Sequence, residues 1–251
     1  MSWLPQEQVG NAFLAECLRI VENAQAFETF KTNETFCKVI GNDVLPRTTT
    51  DILYANIEND PFVLNKLSIF QTNDIFGGAP LHNYQLGEIS SGTLYFLNIL
   101  KSLRGVFGDL TDFDIVEIGS GYGGQAKILI DSDVKSYSCV DLPETLQLCN
   151  KYLNLFNHDV NYYVFPDVPE RKYDLVISNW CFSEFSEKLM EFYFERLIKN
   201  CARGYFLMNE WQEEKKQFIL SLCRKFFDTV EVYPEYPKTH PNDNWLLILK
   251  K

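Results

Sequence analysis

From Asp112 onward, short apolar runs alternate with segments whose apolar residues recur at helical spacing. The runs are Phe113–Ile118, Ser136–Asp141, Val160–Phe165, Leu175–Asn179, Tyr205–Asn209, Thr229–Tyr233 and Trp245–Leu249. Helical patterns lie between them at Gly124–Asp131, Pro143–Phe156, Lys188–Cys201 and Gln217–Phe227. Strands that alternate with helices predict an α/β architecture with a parallel sheet covered on both faces. Between the last two strands lies only the loop Pro234–Asp243, too short for a parallel crossover, so these strands are expected to pair antiparallel. The whole is a seven-stranded, mostly parallel sheet with a terminal antiparallel hairpin.

The first hundred residues carry a different pattern. Apolar positions recur at helical spacing from Gln6 to Phe30 and again from Phe62 to Phe70. The loop Asn73-Asp74-Ile75-Phe76-Gly77-Gly78-Ala79-Pro80 interrupts regular structure. Ser90-Ser91 supplies a cap for a helix running through Thr93, Leu94, Leu97, Leu100 and Leu103. Residues 1–110 are therefore expected to form a helical layer or lid, and 111–251 the sheet domain.

Charge narrows the partners. Thirty-four Asp and Glu against 23 Lys and Arg give a net charge of -11, and no basic cluster exceeds pairs such as Lys215-Lys216. Nucleic acid and anionic membrane surfaces are poor partners for such a chain. Seven cysteines without a C-x-x-C pair argue against a structural zinc site or a disulfide framework, and no metal is expected. The start has no secretory pattern and no apolar run approaches the roughly 20 residues of a membrane span, so a cytoplasmic protein is expected.

The segment Asp114-Ile-Val-Glu-Ile-Gly-Ser-Gly-Tyr-Gly-Gly-Gln125 carries the strongest chemical signal. A strand runs into a glycine-rich turn and then a helix, where free N–H groups and close backbone approach suit a polar or anionic ligand. Asp141 closes the next strand, 22 residues beyond Gly119, and a carboxylate there can accept hydrogen bonds from a ribose diol. It is equally placed to cap the helix that starts near Pro143. Gly119, Gly121 and Gly124 also satisfy the dinucleotide pattern G-x-G-x-x-G. Glu117, costly to bury without a partner, the extra Gly123 and the terminal hairpin favour a different cofactor over a nicotinamide.

Val116-Glu117-Ile118-Gly119-Ser120-Gly121-Tyr122-Gly123-Gly124 resembles motif I of class I S-adenosylmethionine-dependent methyltransferases. Three further segments resemble the sugar O-methyltransferase family within that superfamily: Asn73–Pro80, Ile89–Leu94 and Ser178-Asn179-Trp180-Cys181-Phe182-Ser183-Glu184. The resemblance implies a Rossmann-like fold over about Asp112–Lys251, S-adenosylmethionine as cofactor and S-adenosylhomocysteine as product. It places Glu117 and Gly119 at the methionine moiety, with Gly121 and Gly123 giving close backbone approach. Asp141 would hold the ribose hydroxyls, Leu142 would pack on the adenine, and Asp167-Val168 would sit by the adenine amine. Asn179 would line the pocket between cofactor and acceptor. The implied substrate is a nucleotide-linked sugar or a glycan precursor, methylated on a hydroxyl. A homo-oligomer is compatible with all of this.

A sugar hydroxyl is a weak nucleophile at neutral pH, so a general base is expected. His240 in the rim loop, Glu184 and Asp74 are the candidate bases. His82, Trp180 and Ser183 are the candidate acceptor contacts, Trp180 by stacking on a ring. His158 reads as a surface residue. A metal-assisted route would draw on Glu184 and on Asn209-Glu210 after the fifth strand.

Overall fold

In the computed structural model, which describes residues 10–209, 213–239 and 243–251, the chain begins with helices. α1 (Asn11–Glu22) and α2 (Ala24–Glu28) replace the single long helix expected up to Phe30. Asn23 divides them: its side chain accepts from the Ala26 N–H at 2.9 Å and starts the second helix. α3 (Glu34–Cys37), α4 (Arg47–Ile57) and α5 (Pro61–Gln71) follow, the last capped by Asp60 with proline in its first turn.

A small antiparallel hairpin, β1 (Leu81–Tyr84) with β2 (Gly87–Ser90), comes next and pairs His82 with Ile89. His82 was expected in a purely helical layer. The hairpin forms because Gly87 adopts φ +101 at the turn, where a side chain would be strained. Ser90 then caps α6 (Ser91–Phe107) as its sequence position predicts, accepting from the Thr93 N–H at 3.1 Å.

The large sheet uses β3 (Asp114–Ile118), β4 (Ser136–Val140), β5 (Asn161–Tyr163), β6 (Tyr173–Asn179), β7 (Cys201–Met208), β8 (Thr229–Pro234) and β9 (Trp245–Lys250). Their order is β5-β4-β3-β6-β7-β9-β8, parallel except for β9, which runs antiparallel to both neighbours. α7 (Gly124–Asp131), α8 (Pro143–Asn154), α9 (Glu187–Arg196) and α10 (Glu213–Cys223) connect the strands. β7 starts at Cys201, within the stretch expected to be helical, because α9 ends at Arg196 and a short 3-10 turn, Ile198–Asn200, intervenes.

Side chains alternate between two cores. Ile115, Tyr205 and Leu207 face the core shared with α1, α6 and α8; Val116, Phe206 and Met208 face the core that contains Met190, Phe194 and Ile219 of α9 and α10. The first core also holds Phe30, Phe36, Leu53 and Phe70, so the N-terminal helices pack directly on the sheet domain. Burying these apolar surfaces is the main stabilising term, at about 25 cal/mol per Å².

One polar network crosses this core. Lys31, with no exposed surface, donates to the Asn73 carbonyl at 2.6 Å and to the Tyr152 hydroxyl at 3.3 Å. Asp43, equally buried, accepts from the Tyr122 hydroxyl at 3.0 Å. Burial pushes the Asp43 carboxyl up to about 6, although the Lys31 charge pulls the other way. Tyr122 belongs to the glycine turn, so this network ties the N-terminal layer to the loop after β3. No helix among the described residues is long and apolar enough to cross a membrane.

Candidate functional site

The carboxyl ends of β3, β4, β6 and β7 open into a cavity of about 550 Å³. That lies within the ordinary range for a small-molecule site, at the sheet edge where parallel α/β folds bind ligands. β3 delivers Glu117 and then the turn Gly119–Gly123, in which Gly119, Gly121 and Gly123 have φ of +80, +55 and +92. Only glycine takes these values without strain. A Cβ on Gly119 would stand 2.3 Å from Cys181 Cβ, so the loop after β6 packs directly on the turn.

Asp141, one residue past β4, organises the cavity floor. Its Oδ2 accepts from the Gly121 N–H at 2.9 Å and its Oδ1 from the Leu142 N–H at 2.7 Å. Burial raises its carboxyl to about 6, against the downward pull of those two N–H groups. Glu117 is 2% exposed and lines the same cavity. Its Oε2 accepts from the Tyr137 hydroxyl at 2.9 Å, and burial pushes it up to about 8. A buried carboxyl in that state is poised to become a carboxylate when a cation arrives.

The opposite end is aromatic. Trp180 follows β6 with φ +60, an uncommon backbone state for a bulky side chain, and its N–H donates to the Leu207 carbonyl at 2.7 Å. Its ring lies 5.4 Å from that of Tyr95, tilted by 39°. Glu184 and Asn209 complete this end: the Asn209 side-chain amide donates to Glu184 Oε1, and the Asn209 N–H donates to Ser183 Oγ at 3.3 Å. Asn179 Nδ2 donates to Gln125 Oε1 at 3.2 Å, leaving Asn179 Oδ1 and Gln125 Nε2 buried without a partner.

Glu117, Gly119, Gly121, Asp141, Leu142, Asn179, Trp180 and Glu184 thus meet in one cavity. Other expected residues stand elsewhere. Gly123 is the left-handed joint into α7, and a Cβ there would meet Cys149 Sγ and Leu153 at 3.0 Å. Asp167 is exposed, with its N–H on the Val164 carbonyl, and Val168 is buried in the core on the α9 side of the sheet. Ser183 is fully buried beneath Asn209 rather than lining the cavity.

Asp74 is engaged as a structural acceptor, not a base. It takes hydrogen bonds from the Ser90 N–H at 2.9 Å, the Ser90 hydroxyl at 2.6 Å and the Thr93 hydroxyl at 2.7 Å. His82, on the hairpin, lies beside Tyr84 with ring centroids 6.4 Å apart, away from the cavity. His158 is largely buried against Asp131, at 3.2 Å, and so is not a surface residue. His240 and Glu210 lie outside the described residues. Among the described residues no group of three His, Cys, Asp or Glu is arranged to hold a metal ion.

Sequence reasoning missed the N-terminal wall of the cavity: Cys37 to Asn42, Leu45 and, from α6, Tyr95 and Phe96. It also missed Gln125. Nothing in the local pattern marks these residues, because they reach the cavity only through packing of the N-terminal layer.

No protein-family model matches the chain, and no curated protein matches it. Solved structures do. The methyltransferase domain of a bacterial Hen1 (CtHen1) superposes with a TM-score of 0.50 at 11% identity, covering 62% of this chain and 97% of that one. Magnesium protoporphyrin IX methyltransferase (ChlM) from Synechocystis PCC 6803, crystallised with bound S-adenosylmethionine, superposes with a TM-score of 0.50 at 10% identity. That match covers 81% of this chain and 97% of that one. The fold is that of class I methyltransferases. At such identities the likeness concerns the fold, with its reversed last strand pair, and the chemistry must be argued from the cavity.

Proposed function

We propose that the protein transfers a methyl group from S-adenosylmethionine to a hydroxyl of a sugar, with residues 1–110 serving as lid over the sheet domain. The observation that carries the cofactor reading is the pairing of Asp141 with Gly121 at the floor of a cavity that Glu117 also lines. The donor set fits the cofactor. Asp141 offers carboxylate oxygens for a ribose diol, and Glu117 offers a buried carboxylate for a cationic amine. The glycine turn brings the Gly119 and Gly121 backbone to the cavity wall, beside Asp141. Magnesium protoporphyrin IX methyltransferase, crystallised with S-adenosylmethionine and with S-adenosylhomocysteine, supports the choice.

When bound, the cofactor supplies a methyl group already activated by a sulfonium charge. The protein's part is to align the acceptor and to receive its proton. Glu184, held by Asn209, would take the proton that the acceptor hydroxyl gives up on methylation. Trp180, set against Tyr95, offers a face for a sugar ring, the contact that favours a sugar among acceptors. The segments that resemble sugar O-methyltransferases, Asn73–Pro80 and Ile89–Leu94, meet where Asp74 and Ser90 fix the start of α6, which carries Tyr95.

Calorimetry tests the cofactor reading. S-adenosylhomocysteine should bind the wild type and bind Asp141→Ala at least about tenfold more weakly, a loss of about 1.4 kcal/mol. Absence of binding to the wild type would overturn it.

A further inference from the structure

We infer that the acceptor is a neutral, unphosphorylated glycoside or glycan end, and that the site rejects nucleotide-linked and phosphorylated sugars. The inference rests on the methyl-transfer reading above and concerns which acceptors that site admits.

Charge is the first ground. Three carboxylates line the cavity, Glu117, Asp141 and Glu184. Among the described residues that line it, Lys38 is the single cation, and its side chain is 69% exposed and paired with Glu34 at 3.0 Å. The residues outside the described set, Met1–Val9, Glu210–Gln212 and His240–Asn242, contain no lysine or arginine. Lys215 stands near enough to Glu184 to feel its charge, but it does not line the cavity, and Glu187 acts on it as well. A diphosphate beside Glu184 would meet repulsion in a low-dielectric site without the bidentate donors that phosphate recognition uses. The helix N-terminus that would favour an anion, that of α7, belongs to the glycine turn at the cofactor end.

The second ground is what the cavity offers instead. Gln125 Nε2, on a residue 3% exposed, and Asn179 Oδ1 are buried without hydrogen-bond partners, and both residues line the cavity. Buried polar atoms without partners are costly, so a neutral ligand hydroxyl that reached them would gain a bond. Trp180, held at φ +60 beside these groups, presents an aromatic face to a ring rather than a charge to a phosphate.

The test starts from protein saturated with S-adenosylhomocysteine, whose binding is confirmed first by calorimetry. Failure of that step overturns the methyl-transfer reading itself and is thereby told apart from failure of the charge rule. UDP is then titrated into the saturated complex, and methyl transfer from tritiated S-adenosylmethionine is measured on a panel of p-nitrophenyl glycosides and the matching UDP-sugars. We expect no UDP binding at 1 mM and at least tenfold more transfer to the neutral acceptors than to the UDP-sugars. Trp180→Ala should raise KM for the neutral acceptor at least fivefold. Val39→Lys, which places a cation on a half-exposed wall of the cavity, should narrow the preference at least threefold. No transfer to any neutral glycoside, or transfer to UDP-sugars within twofold of it, overturns the inference.

Discussion

The backbone N–H of Gly121 donates to Oδ2 of Asp141 at 2.9 Å, joining the turn after β3 to the end of β4 across the floor of the cavity. A carboxylate that already fixes the glycine turn is pre-organised for a ligand lying on that turn, because little further ordering is needed on binding. Asp141 is thereby an organiser of local backbone, through the Gly121 and Leu142 N–H groups, at the position proposed to meet the ligand.

This coupling sets the pH dependence of cofactor binding. The Asp141 carboxyl stands at about 6 before a ligand arrives. Below that value it holds a proton and loses acceptor capacity, so affinity for S-adenosylhomocysteine should fall as pH drops from 7 to 5. Calorimetry across that range should show a steeper fall in the wild type than in Asp141→Asn, which keeps only the pH dependence that Glu117 imposes. An affinity independent of pH would remove Asp141 from the binding set.

Glu184 should separate chemistry from binding. Glu184→Gln keeps the size of the side chain and its acceptor for the Asn209 amide, but cannot take a proton. The expected loss in kcat is roughly 10²–10⁴-fold, the usual contribution of a general base, with the S-adenosylhomocysteine Kd changed by less than about twofold. Asn209→Ala should lower kcat by a smaller factor, because Glu184 loses its orienting donor. Activity retained by Glu184→Gln would leave alignment alone as the source of acceleration.

Much of this was legible in the sequence, and the failures have a common cause. The alternation of Ile115 with Val116 and of Tyr205 with Phe206 encodes two-sided burial, so the sheet and its reversed last pair could be read from local pattern. Glu117, the glycines and Asp141 are legible for a related reason, since strand ends and turns fix their positions within a few residues. Asp74, His82 and Ser183 were misplaced because residue type and local pattern give no sign of which way a polar side chain faces. Asp74 turned inward to Ser90 and Thr93, where three hydrogen bonds satisfy it. The wall from Cys37 to Asn42 was invisible because contacts more than seventy residues apart, such as Asp43 with Tyr122, bring it to the site.

Asp74 should therefore prove structural. Asp74→Ala leaves the Ser90 and Thr93 hydroxyls without their acceptor and weakens the start of α6. Each lost acceptor for a buried donor costs about 1–3 kcal/mol, of which partial rehydration recovers some, so a net destabilisation of roughly 2–4 kcal/mol is expected. Urea denaturation should show it as a lower midpoint with an unchanged slope. At temperatures where the variant stays folded, its affinity for S-adenosylhomocysteine should match the wild type. A variant of normal stability but without activity would return Asp74 to the list of catalytic candidates.

Glu117 should trade stability for function. In the fold its carboxyl is raised to about 8 by burial, whereas in the unfolded chain it titrates at about 4.3. The folded protein therefore binds a proton that the unfolded chain releases. This contribution to stability is fully present below about pH 4 and is lost as pH rises to about 8, beyond which it changes no further. Glu117→Gln preserves an acceptor for the Tyr137 hydroxyl and does not ionise. Its stability advantage over the wild type should grow from pH 4 to pH 8 and then level off, reaching roughly 3–4 kcal/mol at pH 7. Asp43, also raised by burial, titrates in both proteins and cancels in the difference. The same substitution should weaken S-adenosylhomocysteine binding, since the amide cannot become a counter-ion for a cationic amine. It should also abolish the proton release that accompanies binding to the wild type near pH 7, read as a dependence of the calorimetric heat on buffer ionisation enthalpy. A stability difference that stays constant from pH 4 to pH 8 would show that Glu117 is ionised in the fold, and the account of its burial would fail.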